Sequence, residues 1–173
     1  KALGPIEELD WMKGQTRLTF ARVGVIDPLS LAEYRAQGGL AGLERAKGMT
    51  KAQIVAEVTE SGLRGRGGAG FPTGIKWKTV SEAAGDRKYI VCNADEGDSA
   101  TFADRMLMEG DPFTLIEGMA IAGLACGATK GFVYIRSEYP VAIRVMREAV
   151  EIARAEGVLG QGFDMEIRVG AGA

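Results

Sequence analysis

The spacing of apolar residues divides the second half of the chain into alternating strands and helices. Apolar runs over residues 88–92 and 132–135, and the alternation of apolar and charged residues over 165–169, are typical of β-strands. The intervening segments 112–126 and 140–156 are expected to be helices. Because the order is strand, helix, strand, helix, strand, we expect an α/β fold with a largely parallel sheet and flanking helices, layered like a Rossmann fold.

The helix over 112–126 carries its own start signal. Asp111 is expected to cap it, and Pro112 takes the first helical position, where a missing N–H does no harm. Gly118 and Gly123 lie inside this helix, where glycine is less favourable than alanine by ~1 kcal/mol. We therefore expect both glycines to permit close packing on the sheet.

The first half of the chain predicts shorter elements. Ser30–Glu33 and Thr50–Gln53 both fit a capping box, in which a hydroxyl accepts a backbone N–H and the later side chain reaches back. We also expect a short helix over 40–47, a short helix or turn over 76–84, and a strand-like segment over 18–23.

Composition limits the chemistry that this chain can perform. Among its 173 residues there is no histidine, there are two cysteines, and the formal net charge is −2. A Ser-His-Asp triad is therefore excluded, and two cysteines cannot supply the four thiolates of a usual iron–sulfur cluster. We expect no metal site and an organic cofactor for any redox chemistry. The charge gives no case for nucleic acid, no apolar run approaches a membrane span, and the few cysteines favour the cytoplasm.

A glycine-rich segment, residues 65–74, is the first candidate for ligand binding. Without Cβ atoms its main chain can lie close to a ligand, and successive N–H groups in such a loop form an anion-binding concavity. Arg64, Arg66, Lys76 and Lys78 add positive charge around it, so we expect the phosphates of a nucleotide here. The candidate cofactor-binding residues are Gly65, Arg66, Gly67, Gly68, Ala69, Gly70, Phe71, Pro72, Thr73, Gly74 and Lys76.

Other interpretations of this segment are weaker. Gly65, Gly67 and Gly70 have the spacing of the dinucleotide fingerprint, but a helix rather than a strand is expected before them. The segment lacks the Gly-Lys-Ser/Thr ending of a kinase or nucleotidase loop. A long surface turn is the remaining alternative. The surrounding charges and Phe71, whose ring offers a flat face to a planar ligand, favour a binding site over that turn.

A polar string follows the first predicted strand. Asn93 offers a donor and acceptors to the edge of an isoalloxazine or nicotinamide ring, and Asp95, Glu96 and Asp98 can accept hydrogen bonds from ribityl or ribose hydroxyls. Ligands of open α/β sheets bind at the carboxyl ends of strands, which favours a functional segment over a solvated acidic loop. We expect this string and the glycine-rich segment to line one cleft for two stacked nucleotide cofactors.

These segments resemble a known family. Residues 61–77 (Ser-Gly-Leu-Arg-Gly-Arg-Gly-Gly-Ala-Gly-Phe-Pro-Thr-Gly-Ile-Lys-Trp) and 92–96 (Cys-Asn-Ala-Asp-Glu) are similar to the FMN- and NADH-binding subunit of respiratory complex I, the 51 kDa family. They are also similar to the diaphorase subunit of NAD-reducing hydrogenases. Within the family, residues 18–30 and 96–99 resemble most the beta subunit of NAD-dependent, molybdenum-containing formate dehydrogenase.

The resemblance implies an electron-transfer flavoprotein module that exchanges hydride between NAD(H) and FMN and passes electrons to or from iron–sulfur centres. It implies catalytic roles for Lys76 and Glu96, a place for Phe71 near NAD, and FMN contacts from the glycine-rich segment, Asn93, Asp95 and Glu96. Asp98 stands where complex I members carry a glutamate, and Thr79 where some relatives carry a phenylalanine that stacks on NAD. The NAD contacts are therefore expected to differ in detail.

The resemblance also implies a truncated domain. Residues 1–49 would be an N-terminal extension with short helices, and 50–173 an FMN- and NAD-binding α/β domain that is incomplete at its C-terminal end. Iron–sulfur clusters would lie in missing parts or in partner subunits, and a molybdenum-containing catalytic subunit would be a further partner. The alternatives are the same module of NADH-quinone oxidoreductase or NAD-reducing hydrogenase, and a non-catalytic assembly fragment.

Overall fold

The computed structural model describes residues 4–5 and 8–172. In chain order, its elements are α1 (Asp10–Lys13), α2 (Leu31–Ala36), α3 (Ala41–Lys47), α4 (Lys51–Glu60), α5 (Thr73–Glu82), β1 (Tyr89–Ala94), α6 (Ala103–Gly110), α7 (Pro112–Cys126), β2 (Lys130–Arg136), α8 (Pro140–Ala155) and β3 (Asp164–Gly170). Within these residues no helix is both long and apolar enough to cross a membrane.

The strands form a parallel sheet in the order β1-β2-β3, as the sequence predicts. Each crossover contains a long helix, α7 after β1 and α8 after β2, and these two helices contact each other as well as the sheet. Both therefore lie on the same face of the sheet. The predicted α/β order is confirmed, with α6 added between β1 and α7.

Burial along the strands shows which face carries the core. Ala94, Val133 and Met165 are buried on the helix-covered face. On the opposite face, Val91 is 66% exposed and Tyr134 is 38% exposed. The apolar run of β1 is therefore buried on one face only, because the helices between the strands cover that face and leave the other open.

The predicted strand over 18–23 is wrong, since these residues form turns and bends. Leu18 is 84% exposed. Arg22 forms an ion pair with Asp111, and an ideal Cβ on Gly110 would come within 2.7 Å of Val23. The segment is therefore held by single side-chain contacts with the α6–α7 junction rather than by pairing with the sheet.

Helix α7 begins at Pro112 as predicted, but its capping differs. The Asp111 carboxylate forms no cap hydrogen bond to the backbone; its Oδ2 accepts from Arg22 Nε at 2.8 Å and from the Thr114 hydroxyl at 2.8 Å. Of the two helix glycines, Gly123 packs against Phe163, whereas an ideal Cβ on Gly118 would meet no atom within 4 Å. The close-packing prediction is therefore confirmed for Gly123, which contacts the segment before β3, and wrong for Gly118.

The two predicted capping boxes also have different outcomes. At Thr50 both reciprocal hydrogen bonds with Gln53 are present, and α4 follows. At Ser30 the hydroxyl accepts from Glu33 N at 3.2 Å, but the Glu33 carboxylate accepts from Asp27 N instead of reaching back to Ser30. One box is therefore complete and the other is half formed.

A buried carboxylate joins the first helices to α7. Glu117 accepts hydrogen bonds from the Tyr34 hydroxyl at 2.5 Å, from Leu40 N at 2.8 Å and from Leu43 N at 2.9 Å. Because Leu40 and Leu43 lie at the start of α3, Glu117 caps that helix from across the core. The domain boundary expected near residue 50 stays a prediction.

Candidate functional site

The glycine-rich segment is a hairpin-like loop that connects α4 to α5. Gly65 N donates to Phe71 O at 2.9 Å, and Thr73 N donates to Leu63 O at 2.9 Å. Arg64 and Pro72 form an antiparallel bridge between these bonds. A helix does precede the loop, so the prediction that it is not a standard Rossmann turn is confirmed.

The tip of this loop leaves its main chain uncovered. An ideal Cβ on Gly67, Gly68 or Gly70 would meet no atom within 4 Å. Phe71 beside the tip is 47% exposed. A cavity of about 620 Å³ borders the loop, lined by Ser61, Gly62, Leu63, Arg64, Gly65, Arg66 and Gly70. The backbone here is open to a ligand, as the sequence predicts.

Only part of the expected positive charge lies at this loop. Lys76 is exposed, and its Nζ lies 3.7 Å from the position of an ideal Cβ on Gly65. Arg64 donates to Gly70 O at 3.0 Å. Lys78, in contrast, lines a groove between α4 and α5 and lies 4.0 Å from a Glu82 carboxylate oxygen. Lys78 therefore belongs to a different surface from the one that the sequence assigned to it.

Gly74 has a packing role. An ideal Cβ there would lie 2.7 Å from Thr59 Cα, so no side chain fits between α4 and α5 at this point. Gly74 is thus buried against α4, and its contact with a cofactor stays a prediction.

The polar string lies at the carboxyl end of β1, as predicted. Asn93 is exposed, and its Oδ1 accepts from Asp95 N at 3.1 Å. Asp98 is also exposed, and its backbone carbonyl accepts from Thr101 N at 3.2 Å. Asn93 pairs in register with Tyr134 of β2, so the polar string continues onto the exposed face of the sheet.

Glu96 is the most constrained residue of this string. Its φ is 50°, in the left-handed region. Its two carboxylate oxygens accept from Asp104 N at 2.9 Å and from Arg105 N at 3.1 Å, so Glu96 caps α6 from seven residues before that helix begins. Burial and the neighbouring Glu96 carboxylate raise the pKa of Asp104.

Three residues that sequence reasoning missed surround Glu96. Arg136 Nη1 donates to Glu96 O at 3.0 Å, and the Tyr139 hydroxyl donates to Glu96 Oε2 at 3.0 Å. The Tyr139 ring also lies 5.4 Å from the Arg105 guanidinium. Burial, followed by the Glu96 carboxylate, raises the pKa of Tyr139, so its hydroxyl remains a donor at neutral pH. The signal that could have found Arg136 and Tyr139 is their position at the carboxyl end of β2, the neighbour of β1: Arg136 is its last residue and Tyr139 follows three positions later.

The cysteines show no sign of reactivity. Cys126 is buried, and burial and the nearby Asp104 raise the pKa of Cys92 to about 11. In the described residues no three side chains of the metal-binding types converge.

The loop and the polar string each have their own partners. Those of the loop come from residues 59–76, and those of Glu96 come from residues 104–139. The meeting of the two segments in one cleft stays a prediction.

A comparison with family models covers both segments at once. A model described as the Nuo51 FMN-binding domain matches residues 58–173. The chain belongs to this family. FMN, the cofactor expected from the sequence, is the ligand named in the description of this family.

Relatives of this FMN-binding domain are subunits of redox enzymes. The NADP-reducing hydrogenase subunit HndC of Solidesulfovibrio fructosivorans is 51% identical over 168 residues, covering 93% of this chain and 34% of the relative. A subunit of the NADH-quinone oxidoreductase of Rhizobium meliloti is 50% identical over 157 residues, covering 87% of this chain and 37% of the relative. The chain therefore spans about a third of the length of these relatives.

A solved structure supports the same fold. An NAD+-reducing NiFe hydrogenase in the air-oxidised state matches with a TM-score of 0.69 and 34% identity, covering 92% of this chain and 25% of that chain. The layered α/β fold of the FMN-binding domain is thereby confirmed.

The residues at both segments fit a flavin nucleotide. The open main chain at 67–70 can accommodate an anionic group, and Lys76 adds a cation beside it. At the other segment, Arg136 Nε is a buried donor without a hydrogen-bond acceptor among the described residues; the nearest carboxylate oxygen, from Glu138, is 3.5 Å away. A buried donor of this kind is satisfied when a ligand or a water supplies the acceptor.

Proposed function

We propose that this chain binds FMN between the glycine-rich loop and the polar string after β1, and that it exchanges hydride between NAD(H) and the flavin. The observation that carries the proposal is the family match, because residues 58–173 include both segments. The relatives named as NADH and NADP enzymes support the nicotinamide substrate.

The chain's own residues would bind and orient the two cofactors. The candidate cofactor-binding set is Gly65 to Gly74, Lys76, Asn93, Asp95, Glu96 and Asp98. When bound, FMN supplies the redox chemistry, taking up two electrons as hydride and releasing them singly. Hydride transfer between stacked rings needs no protein general base, which agrees with a chain that has no histidine. The Lys76 ammonium would stabilise negative charge on the reduced ring, and Phe71 would face the nicotinamide cofactor.

We further propose that the chain works in the cytoplasm within a multisubunit complex that includes iron–sulfur partners. Our preferred parent complex is an NAD-dependent formate dehydrogenase with a molybdenum-containing subunit. That choice is supported by the sequence similarity of residues 18–30 and 96–99. The equivalent modules of NAD-reducing hydrogenase and NADH-quinone oxidoreductase are the alternatives. The similar NAD+-reducing hydrogenase structure favours the first, and the NADH-quinone oxidoreductase relative favours the second.

A visible spectrum tests the central proposal. The purified protein, supplied with FMN, is expected to absorb in the blue and to lose that absorption when NADH is added. NADPH is tested in parallel, because one relative is named for NADP. A protein that gains no flavin absorption would refute the proposal and favour the non-catalytic assembly module.

Replacing Lys76 by methionine tests its electrostatic role. Loss of the cation is expected to lower the flavin potential by about 30 mV or more, equivalent to ~1.4 kcal/mol for a two-electron couple. The matched control is Lys78→Met in the same helix, because Lys78 lies on the α4–α5 groove. An unchanged potential in Lys76→Met would remove this role from Lys76.

The identity of the parent complex needs a separate assay. The intact complex is purified, NAD reduction is measured with formate and with hydrogen as electron donors, and NADH oxidation is measured with a quinone as electron acceptor. Reduction by formate alone would support the formate dehydrogenase, whereas reduction by hydrogen or transfer to quinone would assign the chain to one of the alternatives.

A further inference from the structure

Tyr139 occupies a central place behind the polar string. It lies at the N-terminus of α8 and is 7% exposed. Its hydroxyl donates to Glu96 Oε2 at 3.0 Å. Its ring centroid lies 5.4 Å from the Arg105 guanidinium and 5.5 Å from the Arg136 guanidinium, both within the range of cation–π contacts. Ring and hydroxyl are therefore both fixed.

The residue that Tyr139 contacts is held in an unfavourable backbone conformation. Glu96 has a φ of 50° and Ala100, in the same segment, a φ of 65°. Residues other than glycine avoid this left-handed region, and they remain in it only where the surrounding structure enforces that conformation. Such residues cluster at ligand sites and switch regions. Here the conformation recurs within the segment that carries the candidate flavin contacts.

The restraints on Glu96 come from three different elements. The N-terminus of α6 binds its carboxylate through Asp104 N and Arg105 N. Arg136, at the end of β2, binds its carbonyl oxygen at 3.0 Å, and Tyr139 binds the carboxylate from the start of α8. Of these contacts, only the Tyr139 hydroxyl can be removed without changing a charge or a backbone group.

We propose that Tyr139 is a positioning residue for the flavin: its hydroxyl fixes the Glu96 carboxylate and thereby sets the geometry of residues 95–98 at the carboxyl edge of the sheet. This inference rests on the proposed function, because it requires the flavin to contact that edge. A purely structural hydroxyl would stabilise the start of α8 without affecting the flavin.

The test is Tyr139→Phe, which keeps the ring and both cation–π contacts and removes only the hydrogen bond. The control is Tyr89→Phe, because Tyr89 is 48% exposed at the first position of β1, the opposite end of the strand from Glu96. FMN affinity, flavin midpoint potential and thermal stability of the flavin-free protein are measured for each variant.

We expect Tyr139→Phe to weaken FMN binding by up to about tenfold and to shift the flavin potential, because the hydrogen bond to the charged Glu96 carboxylate no longer holds residues 95–98 in place. The melting temperature of the flavin-free protein should stay within a few degrees of the parent. Tyr89→Phe should match the parent in all three measurements. A lower melting temperature with unchanged affinity and potential would overturn the inference, and so would no change at all.

A second variant separates positioning from folding. If Tyr139 acts through Glu96, then adding Tyr139→Phe to Glu96→Ala, which removes the acceptor, should weaken FMN binding by less than it does in the parent. Fully additive losses would refute an action through Glu96. A parent protein that binds no FMN would instead overturn the proposed function itself, and this inference with it.

Discussion

Replacing Gly123 by alanine should destabilise the protein, whereas the same replacement at Gly118 should stabilise it. Both glycines lie in α7, five positions apart. An ideal Cβ on Gly123 would lie 2.5 Å from Phe163 Cδ2. The other end of this buried ring is packed against Gly131 in β2, where an ideal Cβ would lie 2.8 Å from Phe163 Cζ. At Gly118, which is exposed, a Cβ would meet nothing within 4 Å.

The magnitudes follow from these distances. Alanine gains ~1 kcal/mol over glycine inside a helix, and Gly118→Ala should gain all of it. Overpacking a core by one methyl group is unfavourable by ~1–3 kcal/mol, and we expect the upper part of that range at Gly123 because the ring cannot move aside. The net loss in Gly123→Ala should be ~1–2 kcal/mol. The two variants should then differ by ~2–3 kcal/mol, or about 4–12 °C in melting temperature for a chain of this size.

Urea and thermal unfolding followed by far-UV circular dichroism measure this difference. Equal m-values are required, so that the change can be assigned to stability rather than to the unfolded state. If Gly123→Ala were as stable as Gly118→Ala, the packing of α7 against Phe163 would be incorrectly described.

Two further predictions concern buried or paired carboxylates. Glu117→Gln should lower the free energy of unfolding by ~1–3 kcal/mol for each backbone or hydroxyl donor that is left without an acceptor. A loss below ~1 kcal/mol in urea titrations would contradict the role of Glu117 as the acceptor that joins the first helices to α7. Asp164 is partly buried, which raises its pKa, but hydrogen bonds from Arg154 at 2.8 and 3.1 Å outweigh burial, so its pKa lies below the ordinary value of 3.8. The stability from this pair is therefore present above pH 3.8 and is lost as the pH falls through the lower folded-state pKa. Unfolding across pH 2–7 should show Asp164→Asn less stable than the parent near neutral pH and the two converging in acid; a constant difference would refute the linkage.

The α/β order could be predicted because its signals are local. Strands and helices from residue 88 onward show their periods within single segments, and the Thr50 cap and the proline at 112 stand at the start of their helices. Helix α6 was missed because its cap is Glu96, seven residues before the helix begins. Local capping patterns do not extend that far.

The wrong strand over 18–23 has a similar cause. Its apolar and β-branched residues fit a strand locally, but nothing in the local sequence shows that Arg22 pairs with Asp111, 89 positions later. Tertiary contacts decide the conformation of such short segments more than intrinsic preference does.

The candidate site was predictable in its linear parts only. The glycine-rich loop and the string from Asn93 to Asp98 are each continuous in sequence, so their composition marked them. Arg136 and Tyr139 reach Glu96 through the parallel pairing of β1 with β2, across about 40 positions. The pairing of strands, rather than any motif, brings them together.

The stem of the glycine-rich loop is joined by main-chain hydrogen bonds, from Gly65 N to Phe71 O and from Thr73 N to Leu63 O. Bonds of this kind do not depend on which side chains lie beyond them. Arg66, Gly67 and Ala69 could therefore be exchanged while the frame that presents them is kept, whereas Gly68 and Gly70, with φ of 99° and 59°, favour glycine. Natural variation or directed evolution could then alter cofactor preference at this tip with little effect on folding yield.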